Sequence, residues 1–136
     1  MNKNRKYKKA VKLADYYFYK NNNLKAIQNY KKALYLNKYS NENIYKNLAI
    51  SLMDIWETKN ALLYCEEWLK KSSWEISLME LKVIILEKLG RKKELKICNK
   101  KILDFYEEVE NIEINFNSQC KNNKLLIKQW KEEYCY

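Results

Sequence analysis

The stretch Asn43–Leu69 limits what this chain can become. It holds two amphipathic runs separated by a short polar turn. In the first, Tyr45, Leu48, Ala49 and Leu52 fall at i, i+3, i+4 and i+7, one stripe of an α-helix. In the second, Ala61, Cys65 and Trp68 keep the same spacing. The small residues Ala49 and Ala61 mark where two antiparallel helices can approach closely. A lone hairpin of this size cannot bury both faces of its helices, so it requires similar neighbours.

Copies of the hairpin lie on either side. The step from Ala14 to Ala49 equals the step from Ala26 to Ala61. The next steps, Ala49 to Val83 and Ala61 to Leu95, again match each other and are shorter by a single position. Upstream, Ala10, Leu13, Ala14 and Tyr17 repeat the first stripe, while Ala26, Tyr30 and Ala33 repeat the second. This chain therefore resembles the tetratricopeptide repeat (TPR) family, whose helix–turn–helix unit is about 34 residues long. The resemblance is strongest in 7–40, fair in 42–75 and weakest in 76–109. In the third unit, Lys82 takes a usually apolar position and Asn99 a usually aromatic one. The resemblance implies an all-α fold, a right-handed α-α superhelix of helical hairpins with about seven helices.

The full chain suits a single domain of 136 residues. Proline is absent and glycine occurs once, so little interrupts helices or supports tight turns. Residues 1–6 are expected to be a frayed lead-in. The first unit is expected to place helices at Tyr7–Lys20 and Leu24–Asn37, around the turn at Asn21–Asn23. Ser40 or Asn41 is expected to cap the second unit's first helix, Glu42–Trp56. Thr58 is the expected cap of its second helix, Lys59–Lys71, and Ser72 or Ser73 that of the third unit. Gly90 is expected to end a helix in the left-handed region. Beyond it, Leu95, Cys98, Ile102, Phe105 and Val109 recur at 3, 4, 3, 4. The alternation of Ile112, Ile114 and Phe116 predicts a connector over 110–118. Asn123, Ile127, Trp130 and Tyr134 then predict a capping helix over 119–134, since repeat arrays need a shielded end.

Cys65, Cys98, Cys120 and Cys135 are widely spaced, with no histidine in the chain, so no metal site is expected. Cys65 and Cys98 lie on apolar stripes and are expected to be small buried hydrophobes. No apolar run is long enough for a transmembrane helix, and the basic N-terminus lacks the apolar segment of a secretory signal. A cytoplasmic or nuclear location, without membrane contact, is the expectation. The formal net charge is +10, yet only Arg5 and Arg91 are arginine. Lysine-rich surfaces attract phosphate and acidic peptide. Scarce arginine argues against specific base reading. Part of the charge is expected from composition bias alone, because Lys, Asn, Tyr and Ile all have AT-rich codons.

No cofactor and no enzymatic activity are expected. The chain has no glycine-rich phosphate loop and no nucleophile motif. Acidic pairs such as Glu66–Glu67 are sequence neighbours, which point about 100° apart on a helix and cannot converge on one proton. The TPR resemblance instead implies a concave groove lined by each unit's first helix. Lys8, Val11, Lys12, Asp15 and Tyr19 would line it from the first unit. Asn43, Lys46, Asn47 and Ile50 would follow from the second, then Ser77, Glu80, Leu81 and Ile84 from the third. Lysines can hold carboxylates there, and asparagines can fix a peptide backbone. Chaperone-binding TPR domains grip a terminal carboxylate with a clamp of Lys, Asn and Arg. Asn47 matches that clamp, but Val11, Asp15, Ser77 and Leu81 depart from it, so a chaperone tail is not the expected ligand.

The four tryptophans, Trp56, Trp68, Trp74 and Trp130, are expected to pack in the core or between units rather than to stack on RNA. Two functions follow as expectations. The first is a protein-interaction module that docks a peptide or helix of a protein partner, as an adaptor or scaffold within a larger assembly. The second is a basic accessory protein of a ribonucleoprotein, holding RNA phosphates through Lys92, Lys93, Lys96 and Lys100, a reading that the basic N-terminus also favours.

Overall fold

Asparagine side chains start the first three helices. Asn2, Asn22 and Asn41 each accept a hydrogen bond from the backbone N–H three positions on, at 2.8, 3.3 and 3.3 Å. Each satisfies a donor that the first helical turn leaves open. The computed structural model describes residues 2–38, 40–73 and 75–134, with side chains through Gln119 and at Lys128 and Glu132. Its helices are α1 (Lys3–Tyr19), α2 (Asn23–Leu36), α3 (Glu42–Asp54), α4 (Thr58–Lys71), α5 (Ile76–Leu89) and α6 (Lys92–Tyr134). Among the described residues there is no strand.

The expected caps hold at some helix ends and fail at others. The N-terminal lead-in is already helical from Lys3, because Asn2 caps it. Asn41 caps α3, while Ser40 donates to the Asn37 carbonyl at 2.6 Å and tightens the connection. Thr58 is the first residue of α4 rather than its cap, and Glu57 holds the cap position, its carboxylate accepting from the Asn60 side-chain amide at 2.8 Å and not from a helix N–H. Neither Ser72 nor Ser73 caps α5. Ser72 ends α4, and Glu75 precedes α5.

The chain divides into two compact units, Met1–Asn99 and Lys100–Tyr136. In the first, each helix from α1 to α5 packs on the next, and α3 also touches both α1 and α5. The core follows the stripes visible in the sequence, although Leu13 is exposed and Tyr17 half-buried. Ala14, Ala26, Ala33, Ala49 and Ala61 are fully buried, as are Tyr30, Tyr45, Leu48, Leu78, Ile85 and Leu86. Burying one large aliphatic side chain contributes about 1.5–3 kcal/mol. Cys65 and Cys98 are buried free thiols, and Cys98 donates to the Met79 carbonyl at 3.6 Å.

Three turns in this unit have the same bonding. Asn22, Glu57 and Arg91 donate their N–H groups to the carbonyls of Tyr17, Leu52 and Leu86, at 2.9, 2.8 and 3.0 Å. From turn to turn, donor and acceptor advance by the same steps as the alanine stripes. Each turn passes through one left-handed residue: Asn21 (φ 59), Trp56 (φ 66) and Gly90 (φ 70). This is the Schellman arrangement that closes a helix C-terminus. The sequence period is thus a period of hydrogen bonds as well.

The second unit is helical throughout 100–134. There are six helices among the described residues rather than seven, because the expected connector 110–118 and cap 119–134 are both part of α6. No proline or glycine follows Gly90. Asn111, Asn115, Asn117 and Ser118 each weaken a helix by well under about 1 kcal/mol, too little to break it. Ile112, Ile114 and Phe116 are exposed. The side chains of Cys120, Asn123, Ile127, Trp130 and Tyr134 lie outside the described residues, as do Trp74 and Cys135.

Candidate binding surface

Tyr30 joins three helices through its hydroxyl. Its ring is fully buried on α2. Its hydroxyl donates to Asp15 Oδ1 on α1 at 2.6 Å and accepts from Asn47 Nδ2 on α3 at 3.1 Å. Burial, and then the bond to Asp15, hold the phenol well above its ordinary range. Two predicted groove residues, Asp15 and Asn47, are therefore brought together, but each spends hydrogen-bonding capacity inside the protein. Asp15 is not a free acid at a groove mouth. Asn47, the one match to the chaperone clamp, is held by a tyrosine.

A second polar cluster joins the α2–α3 connection to α4. Lys71 donates to the Lys38 carbonyl at 2.6 Å and to the Tyr45 hydroxyl at 3.0 Å. The Tyr45 hydroxyl itself donates to the Lys38 carbonyl at 3.2 Å. The Lys71 ammonium also lies 5.2 Å from the Tyr45 ring centre. Trp68 packs against the same ring, with centres 5.3 Å apart.

The remaining groove candidates are spread over α1, α3 and α5, which touch in the order α1–α3–α5. Lys8, Lys12, Asn43 and Glu80 are exposed, whereas Val11, Lys46, Ile50 and Ser77 are half-buried. Tyr19 and Ile84 are exposed apolar surface, at 78% and 47%. Leu81 is buried and forms core instead of groove. Lys82, at its unusual position, pairs with Glu66 on α4 at 3.6 Å. Lys8 and Lys12 also line a cavity of about 430 Å³ with Arg5, Lys9 and Leu13.

Of the proposed phosphate contacts, Lys92, Lys93, Lys96 and Lys100 are all exposed on α6. They are interleaved with acids, and residues 92–113 carry five lysines against six carboxylates. Arg91, just before α6, is already paired with Glu94 at 2.6 Å.

Two features escaped the sequence reading. Tyr30 was legible as core, but its polar role needed partners on two other helices, one earlier and one later in the chain. Trp56 departs from expectation entirely. It is 87% exposed and held at positive φ, because the turn geometry requires a left-handed residue there. Trp68 is half-buried, as expected of a packing residue.

Among the described residues, no cluster of His, Cys, Asp and Glu is arranged to hold a metal, and no helix is long and apolar enough to cross a membrane. No known family model matches the chain, and no curated protein matches it.

Proposed function

We propose that this protein is a non-enzymatic interaction module. In this reading the hairpins form a TPR-like right-handed superhelix, and the α1–α3–α5 side holds a peptide or helix of a protein partner. The observation that carries it is the threefold turn, recurring in step with the sequence period, together with the contacts of α3 to both α1 and α5. Identical turns give the hairpins like internal geometry, and in a stack of like hairpins one face of alternate helices lies together. Exposed Tyr19 and Ile84 supply apolar anchors on that side, with Lys12, Asn43 and Lys46 as polar neighbours.

A photo-crosslinking side chain placed at Ile84 or Asn43 tests this in the source cell. Both positions should capture the same partner, through one contiguous segment of it. The same probe at exposed Leu63 on α4 should not. Capture of that partner from Leu63 alone would remove the groove assignment.

A further inference from the structure

The net charge of this protein is not spread over it. Residues 1–41 contain eleven basic side chains and one acid, so they carry the whole +10. Residues 42–136 contain sixteen of each sign. The single acid of the first segment, Asp15, accepts the Tyr30 hydroxyl. The α1–α2 hairpin is therefore a concentrated positive surface on an otherwise balanced chain.

On α1 the charge has a direction. Arg5, Lys9, Lys12, Tyr16 and Lys20 are spaced 4, 3, 4 and 4, which at about 100° per residue makes one stripe. It lies opposite buried Ala10 and Ala14, and every member is exposed. Lys8 flanks it. Among the described residues, no ion pair neutralises Arg5, Lys8, Lys9 or Lys12. The arrangement works against folding. Like charges at i, i+4 repel by about 0.2–0.5 kcal/mol per pair, and cations in a first helical turn oppose the helix dipole. No acid offsets them in the first turn of α1.

Aromatic rings sit among these cations. Tyr16 is 56% exposed within the stripe, and Lys20 lies 5.9 Å from its ring centre. On α2, Tyr35 is 87% exposed and follows exposed Lys31 and Lys32 by one helical turn. Open rings beside lysines suit bases that are already unstacked, and such binding tolerates many sequences. A single arginine in the hairpin provides little for reading base edges.

We infer that the α1–α2 hairpin binds single-stranded nucleic acid, with Arg5, Lys8, Lys9 and Lys12 on phosphates and Tyr16 under a base. This binding does not rest on the groove reading; the stripe through Arg5, Lys9 and Tyr16 lies beside the groove candidates of α1, and Lys8 and Lys12 border both surfaces. It also moves the nucleic-acid contact away from α6, where acids cancel the lysines.

The test is fluorescence anisotropy of a labelled 20-mer of uridine, with the full chain, between about 50 and 200 mM salt. The wild-type protein should bind, with affinity falling steeply as salt rises. Combined R5Q, K9Q and K12Q should weaken binding by about tenfold or more and flatten the log–log salt slope by about 2, near 0.7 for each lost contact. Y16L should weaken binding several-fold without changing the slope. K92Q, K93Q and K96Q together should bind like wild type. Circular dichroism checks the fold of each variant, and K9E alone replaces the triple change if that variant does not fold. The inference is overturned if wild type fails to bind at the lowest salt or if the α6 variant carries the loss. It is also overturned if polyglutamate competes as well as unlabelled oligouridine, which would identify an acidic protein as the ligand class.

Discussion

The Tyr30 hydroxyl donates to the Asp15 carboxylate across the first hairpin, at 2.6 Å. Asn47 closes the group from the next hairpin. Tyr30→Phe keeps the ring and removes the link, leaving Asp15 and Asn47 without this partner. The expected loss is about 1–3 kcal/mol, read from the urea midpoint. Burial of the phenol, and then the same bond, set a pH dependence. Tyr30 is held above the ordinary phenol value of 10.0, so the folded state keeps this proton longer than the unfolded chain. Its stabilising contribution is whole below pH 10 and is lost as pH rises further. In a spectrophotometric titration, Tyr30 should ionise only well above pH 10. Stability of Tyr30→Phe should fall less steeply in the same alkaline range.

Glu75 is shifted in the same direction. A hydrogen bond with Glu42, then desolvation and the Glu42 charge, push its carboxyl upward. Glu42 Oε2 is shut away from solvent without another partner, so a proton on Glu75 gives it one. The folded state thus binds this proton more tightly than the unfolded chain, and the contribution is present at low pH and lost as pH rises through the folded value. Glu75→Gln should raise the melting temperature at pH 7 and change it little near pH 4. An unchanged melting temperature at pH 7 would show that the two carboxyls do not interact.

Trp56 bears backbone strain that its counterparts avoid. Asparagine and glycine occupy the equivalent positions, Asn21 and Gly90, and both accept positive φ more readily. Trp56→Gly should therefore stabilise the protein by up to about 1 kcal/mol, measured by chemical denaturation. In the reverse direction, Gly90→Ala should cost about 1 kcal/mol through φ alone, since a Cβ there meets nothing within 4 Å.

Cys65 should be chemically silent in the native state. Burial pushes its thiol up to about 12, with nearby Lys82 opposing the shift. At pH 8, iodoacetamide should label Cys65 only at the rate of opening. Mass spectrometry should show its labelling rising with urea along the unfolding curve. Rapid labelling in native buffer would contradict the packing of α4.

The helices and their core were legible because their signal is short-range. Alanine and aromatic stripes recurred at helical spacing, and Asn41 stood where a cap was needed, whereas the caps at Asn2 and Asn22 were not anticipated. The end of the chain was misjudged because alternation at Ile112, Ile114 and Phe116 resembles a break, whereas no residue there costs a helix enough to end it. Of the candidate surface, Lys8, Lys12, Tyr19 and Asn43 are exposed, while Lys46, Asn47 and Ile50 are half-buried. The internal use of Asp15 and Asn47 did not follow from the period, since it depends on one hydroxyl reaching both from another helix. Trp56 was misplaced for a similar reason. Hydropathy favours burial of tryptophan, but the turn fixed its backbone first.

Each of the three left-handed turns closes its hydrogen bonds within a short run of its own hairpin, Tyr17 to Asn22, Leu52 to Glu57 and Leu86 to Arg91. None borrows a donor from a neighbouring copy. A tandem duplication of one whole module therefore inserts a finished corner and leaves the others as they were. Length is the property such a chain can change with least rebuilding.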